Sequence, residues 1–562
     1  MKQLIECVPN FSEGRDPAVI KLITDTIQAV EGVTLLDVDP GKATNRTVVT
    51  FVGEPQHVIE AAFQAIKKAC EVIDMSKHSG EHPRMGATDV CPLIPIAHIS
   101  MEETAEWARK LGERVGRELN FPVYLYESAA SKPERKNLAT VRAGEYEALP
   151  EKLQKSEWKP DFGPAKFSPK HGATAIGARD FLIAYNVNLN TTSVRRANSV
   201  AFDVREMGRI LHDPATGKPL KNDAGEPVRQ HGVLKGVKAI GWYIEEYGIA
   251  QISMNITDAK ASPLHEAFDE CHKSADRRGM RVTGSELVGL VPLEALLEAG
   301  RYFLKKQRRS VGVSESELIK IAVKSMGLDE LSPFDPQLKI IEYSLEKGNS
   351  ANANKLITKD LVAFADETAS ESPAPGGGSI SAYVGALGAS LGTMVANLSS
   401  HKRGWDSRWE EFSDAAERGQ HIKDALLRAV DEDTEAFTLI MHAFGLPKNT
   451  PEEKSARKSA IQAGTRRAIE VPLNVMKLAS ASLPLLRQMV ETGNPNSITD
   501  GGVGILCTRA AIRGAFMNIQ VNGAGFDDKV FLEQVLAEGE KMVQDAEKTE
   551  QELLAIIVQR LA

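Results

Sequence analysis

The first half of the chain alternates short apolar runs with amphipathic ones. "LIECVP" (4–9) is an apolar strand candidate, and "VTLLDVD" (33–39) and "NRTVVTFVG" (45–53) read as strands rich in β-branched residues. Residues 16–31 place Ile20, Ile23, Ile27 and Val30 on one helical stripe, with Asp16 as N-cap and Pro17 at the first helical position. Helices are predicted over 55–73 and 101–119, and a strand over "PVYLYE" (122–127). A similar order returns after residue 180. It runs as a strand at 181–189, a helix at 192–210, two strands within 237–258 turning near Tyr247 and Gly248, and a helix at 262–279. The segment 212–231, polar with Gly and Pro, reads as a loop or excursive hairpin.

Around 332–352 the pattern changes to prolines and a polar run, the mark of a linker. Beyond it the apolar positions keep helical spacing over 354–370, 378–399, 404–443, 451–482, 500–520 and 528–560. The expected fold class is therefore α+β followed by all-α: two α/β sandwich sub-domains of ferredoxin-like type, then a helical bundle. The expected boundaries are 1–181, 182–336, a linker at 337–352, and 353–562. Residues 380–398 carry no charge for the length of a membrane span, but Gly, Ala and Ser dominate there, so a helix packed tightly against others is the preferred reading.

Composition narrows the field. Hydrophobic residues make up 42% and charged ones 26% of the 562, the balance of a soluble globular protein. A formal net charge of −8 argues against nucleic acid or an anionic membrane as the main partner. Five cysteines with no Cys-x-x-Cys pair suit a reduced, cytoplasmic protein without a zinc or disulfide framework, and the N-terminus lacks the pattern of a secretory leader.

Several stretches hold candidate chemistry. In "KHSGEHPRMGATD" (77–89), Gly80, Pro83 and Gly86 forbid a helix, so His82 sits on a loop entering a strand, with Glu81, Arg84 and Asp89 nearby. His82 is either a proton-transfer group or a loop histidine that bonds its neighbours; a metal pair with His78 has no third ligand in view. Asn10 and Ser12 precede a helix start, where amides bind a carboxylate or a side chain simply caps. Asp37 and Asp39 end a strand before a Pro-Gly turn, a place for a ligand or for a turn alone. "FGPAKFSPKHG" (162–172) either wraps an acidic, ring-bearing ligand or is a surface loop. "SPAPGGGS" (372–379) opens a helix with glycines that permit close backbone approach, without the lysine of a nucleotide phosphate loop. On the helix that follows, Asp433 shares a stripe with Leu426, Val430, Phe437 and Ile440, whereas Asp431, Glu432 and Glu435 do not. A carboxyl on a core-facing stripe needs a partner or a raised pKa, and is a candidate acid–base group. Lys448, Asn449, Arg509 and Arg513 either line a pocket for an acidic ligand or pair with carboxylates.

"CVPNFSEG", "GEHPRMGATDVCPLIP", "GARDFLIAYNVNL", "AIGWYIEEYGIAQISMNITD" and "GSELVGLVP" together resemble glutamate formiminotransferase. "PAPGGGSISA", "DEDTEAF" and "LPKNTPEEK" are similar to formimidoyltetrahydrofolate cyclodeaminase. In this order they resemble the bifunctional formimidoyltransferase-cyclodeaminase family. The resemblance implies transfer of a formimidoyl group from N-formimidoyl-L-glutamate to nitrogen-5 of tetrahydrofolate, then ring closure to 5,10-methenyltetrahydrofolate with release of ammonia, in histidine breakdown. It implies His82 and Asp433 as the catalytic acid–base residues. Its folate-binding loop falls on Gly163, Pro164, Ala165, Lys166, Phe167, Ser168, Pro169, Lys170, His171 and Gly172, to which position adds Asn10 and Asp39 as binding candidates. It further implies a polyglutamated folate as co-substrate, no metal, and a homo-oligomer, an octamer. The chain departs from the family in "SSHKRGWDSRWEEF" (399–412) and in the long excursion 212–231. Two rival readings are a glutamate formyltransferase on the same scaffold and a non-catalytic folate-binding assembly protein.

Overall fold

The computed structural model describes residues 3–80, 82–347 and 355–562. These form two compact units, one of residues 1–299 and 322–349, the other of 300–321 and 350–562. The first is mixed α/β and the second mostly helical.

The first unit carries a seven-stranded mixed sheet and a four-stranded antiparallel sheet. In the larger sheet Val33–Gly41 pairs with Arg46–Gly53, which pairs with Leu4–Cys7 and Asn10–Phe11, and these pair with Thr88–Ala97. Thr174–Ala178 and Val123–Glu127 extend it in parallel. The period of two decides what each face does. Ile5, Cys7, Val49, Phe51, Cys91 and Leu93 point into a core covered by the helices Pro17–Gln28, Pro55–Val72 and Met101–Glu118. The intervening Glu6, Val8, Arg46, Val48, Thr50, Val90, Pro92 and Ile94 face the other way and line a cavity. The smaller sheet runs Val237–Ile244, Ile249–Ile256, Ile183–Leu189, Val282–Val288 across, with helices Val194–Val204 and Leu264–Asp276 between strands in the order βαββαβ. Its Tyr185, Val187, Ile252 and Met254 are buried, and Asn186, Gln251, Ser253 and Glu286 line the same cavity.

Two expectations change. The helix predicted over 192–210 ends at Val204, where Arg205 turns extended (ψ 145°), and Gly208 beyond it adopts φ +57° and lies so close to the Gln230 carbonyl that no side chain fits. Arg209–Ile210 then pairs with Arg229–Gln230, closing the excursion as a hairpin. The stretch read as linker instead forms the short helices Pro336–Lys339, capped by Asp335, and Ile341–Lys347. Ile340 and Ile341 are buried, and Ile341 N donates to Val291 O at 3.1 Å. The rest of that stretch, 348–352, lies outside the described residues.

The second unit is built on long helices: Gly377–Ser400, Trp409–Phe444, Pro451–Ala481, Ile498–Gly523 and Lys529–Leu561. The uncharged stretch lies within Gly377–Ser400, and by length and composition that helix and residues 451–492 are apolar enough to cross a membrane. In the fold, 61% of the first window and 50% of the second are buried. Small residues let the first helix approach closely: a Cβ on Gly388 would lie 2.5 Å from Thr508 Oγ1 and 2.9 Å from Gly504 O. Residues 300–321 belong to this unit through Val311 N, which donates to Ser413 Oγ at 3.0 Å, and through Gly312 O, which accepts from Asn397 Nδ2 at 2.7 Å.

Gly388→Leu must therefore force two helix backbones apart. We expect a loss of stability of about 1–3 kcal/mol or more, read as a lowered unfolding midpoint of the helical unit, with Gly388→Ala intermediate.

Candidate active sites

The polar faces of the two sheets in the first unit enclose a cavity of about 410 Å³. Asn10, Asp39 and His82, three of the residues singled out from the sequence, line it. His82 follows the break enforced by Gly80, which packs so close to Thr44 O that a Cβ would lie at 2.3 Å. Among the described residues no helix forms between Lys77 and the strand at Thr88, as the glycines and proline require. Glu81 lies outside the described residues.

His82 Nδ1 is 2.7 Å from Pro83 O, a separation that needs a proton between the two atoms. Arg46 Nη1, 2.9 Å from the same nitrogen, finds acceptors instead in Asp89 Oδ2 at 2.5 Å and Pro83 O at 3.1 Å. The arrangement assigns the Nδ1–H tautomer and leaves Nε2 with its lone pair. Asp89 has no exposed surface. Its Oδ2 also faces Arg142 Nη2 at 2.8 Å, and its Oδ1 accepts from Met85 N at 3.0 Å. Asn10 Oδ1 accepts from Arg46 Nε at 2.9 Å, so Asn10 orients a guanidinium rather than opening a helix. The cap of that helix is Asp16. Arg142 Nε has no hydrogen-bond partner among the described residues.

Two guanidiniums thus share one carboxylate, and the surplus is positive. Burial would raise the Asp89 carboxyl, but Arg142, Arg46 and His82 hold it below the usual range. Burial, then Arg46 and Arg142, push His82 down to about 3, against the opposing pull of Asp89. His82 is therefore neutral at physiological pH.

Asp39 Oδ2 accepts from Gly289 N at 2.9 Å. His78 takes a bonding role: its Nε2 meets Asn45 O at 2.9 Å and its Nδ1 accepts from Arg84 Nε at 3.3 Å. The segment 163–172 does not line the cavity. It braces the His82 loop instead. Ala87 N donates to His171 O at 2.9 Å, and Gly172, at φ +69°, packs on Gly86 where neither could carry a side chain. Tyr146 Oη donates to Pro169 O at 2.6 Å and its ring meets Phe167. Lys166 is exposed, and Lys170 Nζ donates to Glu71 O at 2.9 Å.

In the helical unit the acidic run separates by role. Asp431 Oδ1 accepts from Leu356 N at 2.6 Å, Glu432 pairs with Arg467 at 3.2 Å, and Glu435 is exposed. Asp433 faces the glycine run. Its Oδ2 accepts from Ser379 Oγ at 3.0 Å, and a Cβ on Gly378 would lie 2.1 Å from Oδ1. The glycines are thus needed to let the carboxyl reach the first turn of Gly377–Ser400. Burial raises the Asp433 pKa, partly offset by the Ser379 hydroxyl and amide. Leu426 and Val430 are fully buried as the stripe requires, but Phe437 is 39% exposed, so the stripe leaves the core just past Asp433. Arg509 is paired with Glu550 at 2.7 Å, and "LPKNTPEEK" forms a capping box between Thr450 and Glu453. The unusual 399–412 stretch folds onto its own cluster, with Trp405 stacked on Phe412.

Sequence reasoning missed Arg46, Arg142 and Glu6. The signal for two of them was present: a charged residue inside an apolar strand, in "LIEC" and "NRTVV", faces something other than lipid-like core.

A polar, charge-bearing cavity in an α/β unit and a buried carboxyl at a helix start in a helical unit define a two-part chain with an ionisable site in each part. Profiles of the formiminotransferase domain, N-terminal subdomain (4–179), the formiminotransferase domain (184–346) and formiminotransferase-cyclodeaminase (360–541) match it. The formimidoyltransferase-cyclodeaminase of Mus musculus is 43% identical over 97% of both chains, and that of Gallus gallus 42% identical over 100% of both. Glutamate formimidoyltransferase of Streptococcus pyogenes is 44% identical over 54% of this chain and 94% of its own. The chain belongs to the formimidoyltransferase-cyclodeaminase family.

The charge around His82 has a direct readout. In the folded protein its ring should stay neutral from pH 7 to 5 and titrate near 3, followed by NMR of ¹⁵N-labelled histidine. Arg142→Leu should move that titration upward. Because an unfolded histidine protonates near 6.5, the folded state binds fewer protons between about 6.5 and 3, so this group lowers stability as pH falls through that window.

Proposed function

We propose that the first unit transfers the formimidoyl group of N-formimidoyl-L-glutamate to nitrogen-5 of tetrahydrofolate, and that the second closes the product to 5,10-methenyltetrahydrofolate with loss of ammonia. The observation that carries this reading is His82, held neutral in a cavity beside Arg46 and Arg142 with only Asp89 between them. A glutamate carboxylate suits that surplus of positive charge. Once docked it offsets the guanidiniums and raises His82 from about 3 toward the range where a base is useful. Nitrogen-5 attacks the amidine carbon and forms the new C–N bond. His82 Nε2 accepts the nitrogen-5 proton. The bond to the glutamate nitrogen then breaks, its electron pair stays on that nitrogen, and His82 returns the proton there.

In the second unit nitrogen-10 attacks the formimidoyl carbon. Asp433 takes the nitrogen-10 proton and delivers it to the departing amine, which leaves as ammonia. A carboxyl pushed upward by burial and steadied by Ser379 suits that exchange. Neither route calls for a metal or redox group.

The finer fold reading is that both α/β repeats are ferredoxin-like, which the strand order of the smaller sheet supports. The loop 163–172 takes part through the folate's glutamate tail, with exposed Lys166 attracting its γ-carboxylates from outside the cavity. A homo-octamer and a cytoplasmic setting complete the proposal; all five cysteines are free, which suits a reducing compartment.

A paired assay tests the two sites. His82→Ala should lower transfer by about 10²–10⁴-fold and spare cyclodeamination of supplied 5-formimidoyltetrahydrofolate. Asp433→Ala should do the reverse. Glutamate release reports the transfer, and ammonia release with methenyl absorbance reports the cyclisation, with N-formylglutamate as the competing donor. Loss of both reactions in either folded, assembled variant would sink the two-site reading.

A further inference from the structure

The cavity of the first unit contains a carboxyl that the proton transfers above do not use. Glu6 sits mid-strand in Leu4–Cys7, where alternation sends Ile5 and Cys7 into the core and turns Glu6, with Val8 and Asn10, to the cavity. It is 3% exposed, its cross-strand neighbours are the apolar Val52 and Ile94, and its carboxyl makes no hydrogen bond with any described residue. Burial raises it to about 7; Arg179 opposes this and Glu342 adds to it. The other cavity carboxyls are provided for. Asp39 accepts from Gly289 N, Glu286 accepts from Asn186, Gln251 and Tyr247, and Glu246 is open to solvent.

A buried carboxyl short of donors is a receptor for a ligand edge that brings two parallel N–H groups, because such a pair satisfies both oxygens at once. Position adds the identity of the ligand. Asn10, four residues along the chain from Glu6, bonds the guanidinium that touches His82. Extended chain covers no more than about 14 Å in that distance. Glu6 and His82 line the same cavity, so a ring whose reacting nitrogen meets His82 can present its far edge to Glu6. We infer that Glu6 binds the N3–H and 2-amino edge of a 2-amino-4-oxopyrimidine ring, the pterin of tetrahydrofolate, and so sets the orientation of the acceptor. This rests on the transferase reading of the same cavity.

The test compares wild type with Glu6→Gln, which keeps the shape and takes away the second acceptor oxygen, and with Glu6→Asp, which keeps the charge. Steady-state constants are measured with tetrahydrofolate and with its 2-desamino analogue, and direct binding of both by fluorescence, alongside melting curves. Expected is a rise of about tenfold in KM for tetrahydrofolate in Glu6→Gln, with kcat and the KM for formimidoylglutamate within about threefold of wild type. Wild type and Glu6→Asp should discriminate against the desamino analogue, and Glu6→Gln should not. Retained discrimination in a folded Glu6→Gln protein overturns the assignment, as does a fall in kcat at unchanged KM. A wild type that binds tetrahydrofolate but transfers nothing overturns the transferase reading alone; the Glu6 contact is then decided by the binding arm.

Discussion

One buried carboxylate organises the α/β unit. Asp89 has no exposed surface and meets two guanidiniums, a main-chain amide and, through Arg46, both Asn10 and the His82 loop. Four segments distant in sequence meet there: strands Asn10–Phe11, Arg46–Gly53 and Thr88–Ala97, and the short helix Leu138–Arg142. An unpaired charge in that position is costly, so loss of Asp89 would leave two uncompensated guanidiniums, at a cost of about 3–5 kcal/mol. The same stoichiometry, two cations to one anion, leaves the cavity wall beside His82 positive. Structural necessity and ligand preference are here one arrangement.

Much of this was legible. Strand and helix order along the first half followed from the two periods, because sheet faces that bury one side must alternate and helices that cover them must carry a stripe. His82 was placed on a loop by Gly80, Pro83 and Gly86, and the structure brings it to the cavity with Asn10 and Asp39. Asp433 emerged from counting along its helix. What stayed hidden depends on long-range pairing. Arg142 ends a five-residue helix with no pattern to mark it, and its importance lies in Asp89, distant in the chain. The loop 163–172 looked like a ligand wrapper by composition, yet its glycines serve close packing against Gly86. The stretch 337–352 looked like linker because the apolar positions that the fold buries in its described part are just Ile340 and Ile341.

The two sites use burial in opposite senses. Desolvation always favours the neutral form, which for His82 means losing a proton and for Asp433 means keeping one. Under the proposed reactions each shift suits its step. Transfer begins when an incoming nitrogen must shed a proton, and it meets a histidine that arrives empty. Cyclodeamination needs a carboxylate that takes the nitrogen-10 proton and passes it to the departing amine, and the upward push of burial makes Asp433 the stronger base for that exchange. The devices that set each bias are distinct: paired arginines beside the histidine, and a glycine run that admits the carboxyl to a helix start where only Ser379 moderates the desolvation. Each device is confined to its own unit, so His82 and Asp433 are each shifted by neighbours within that unit alone.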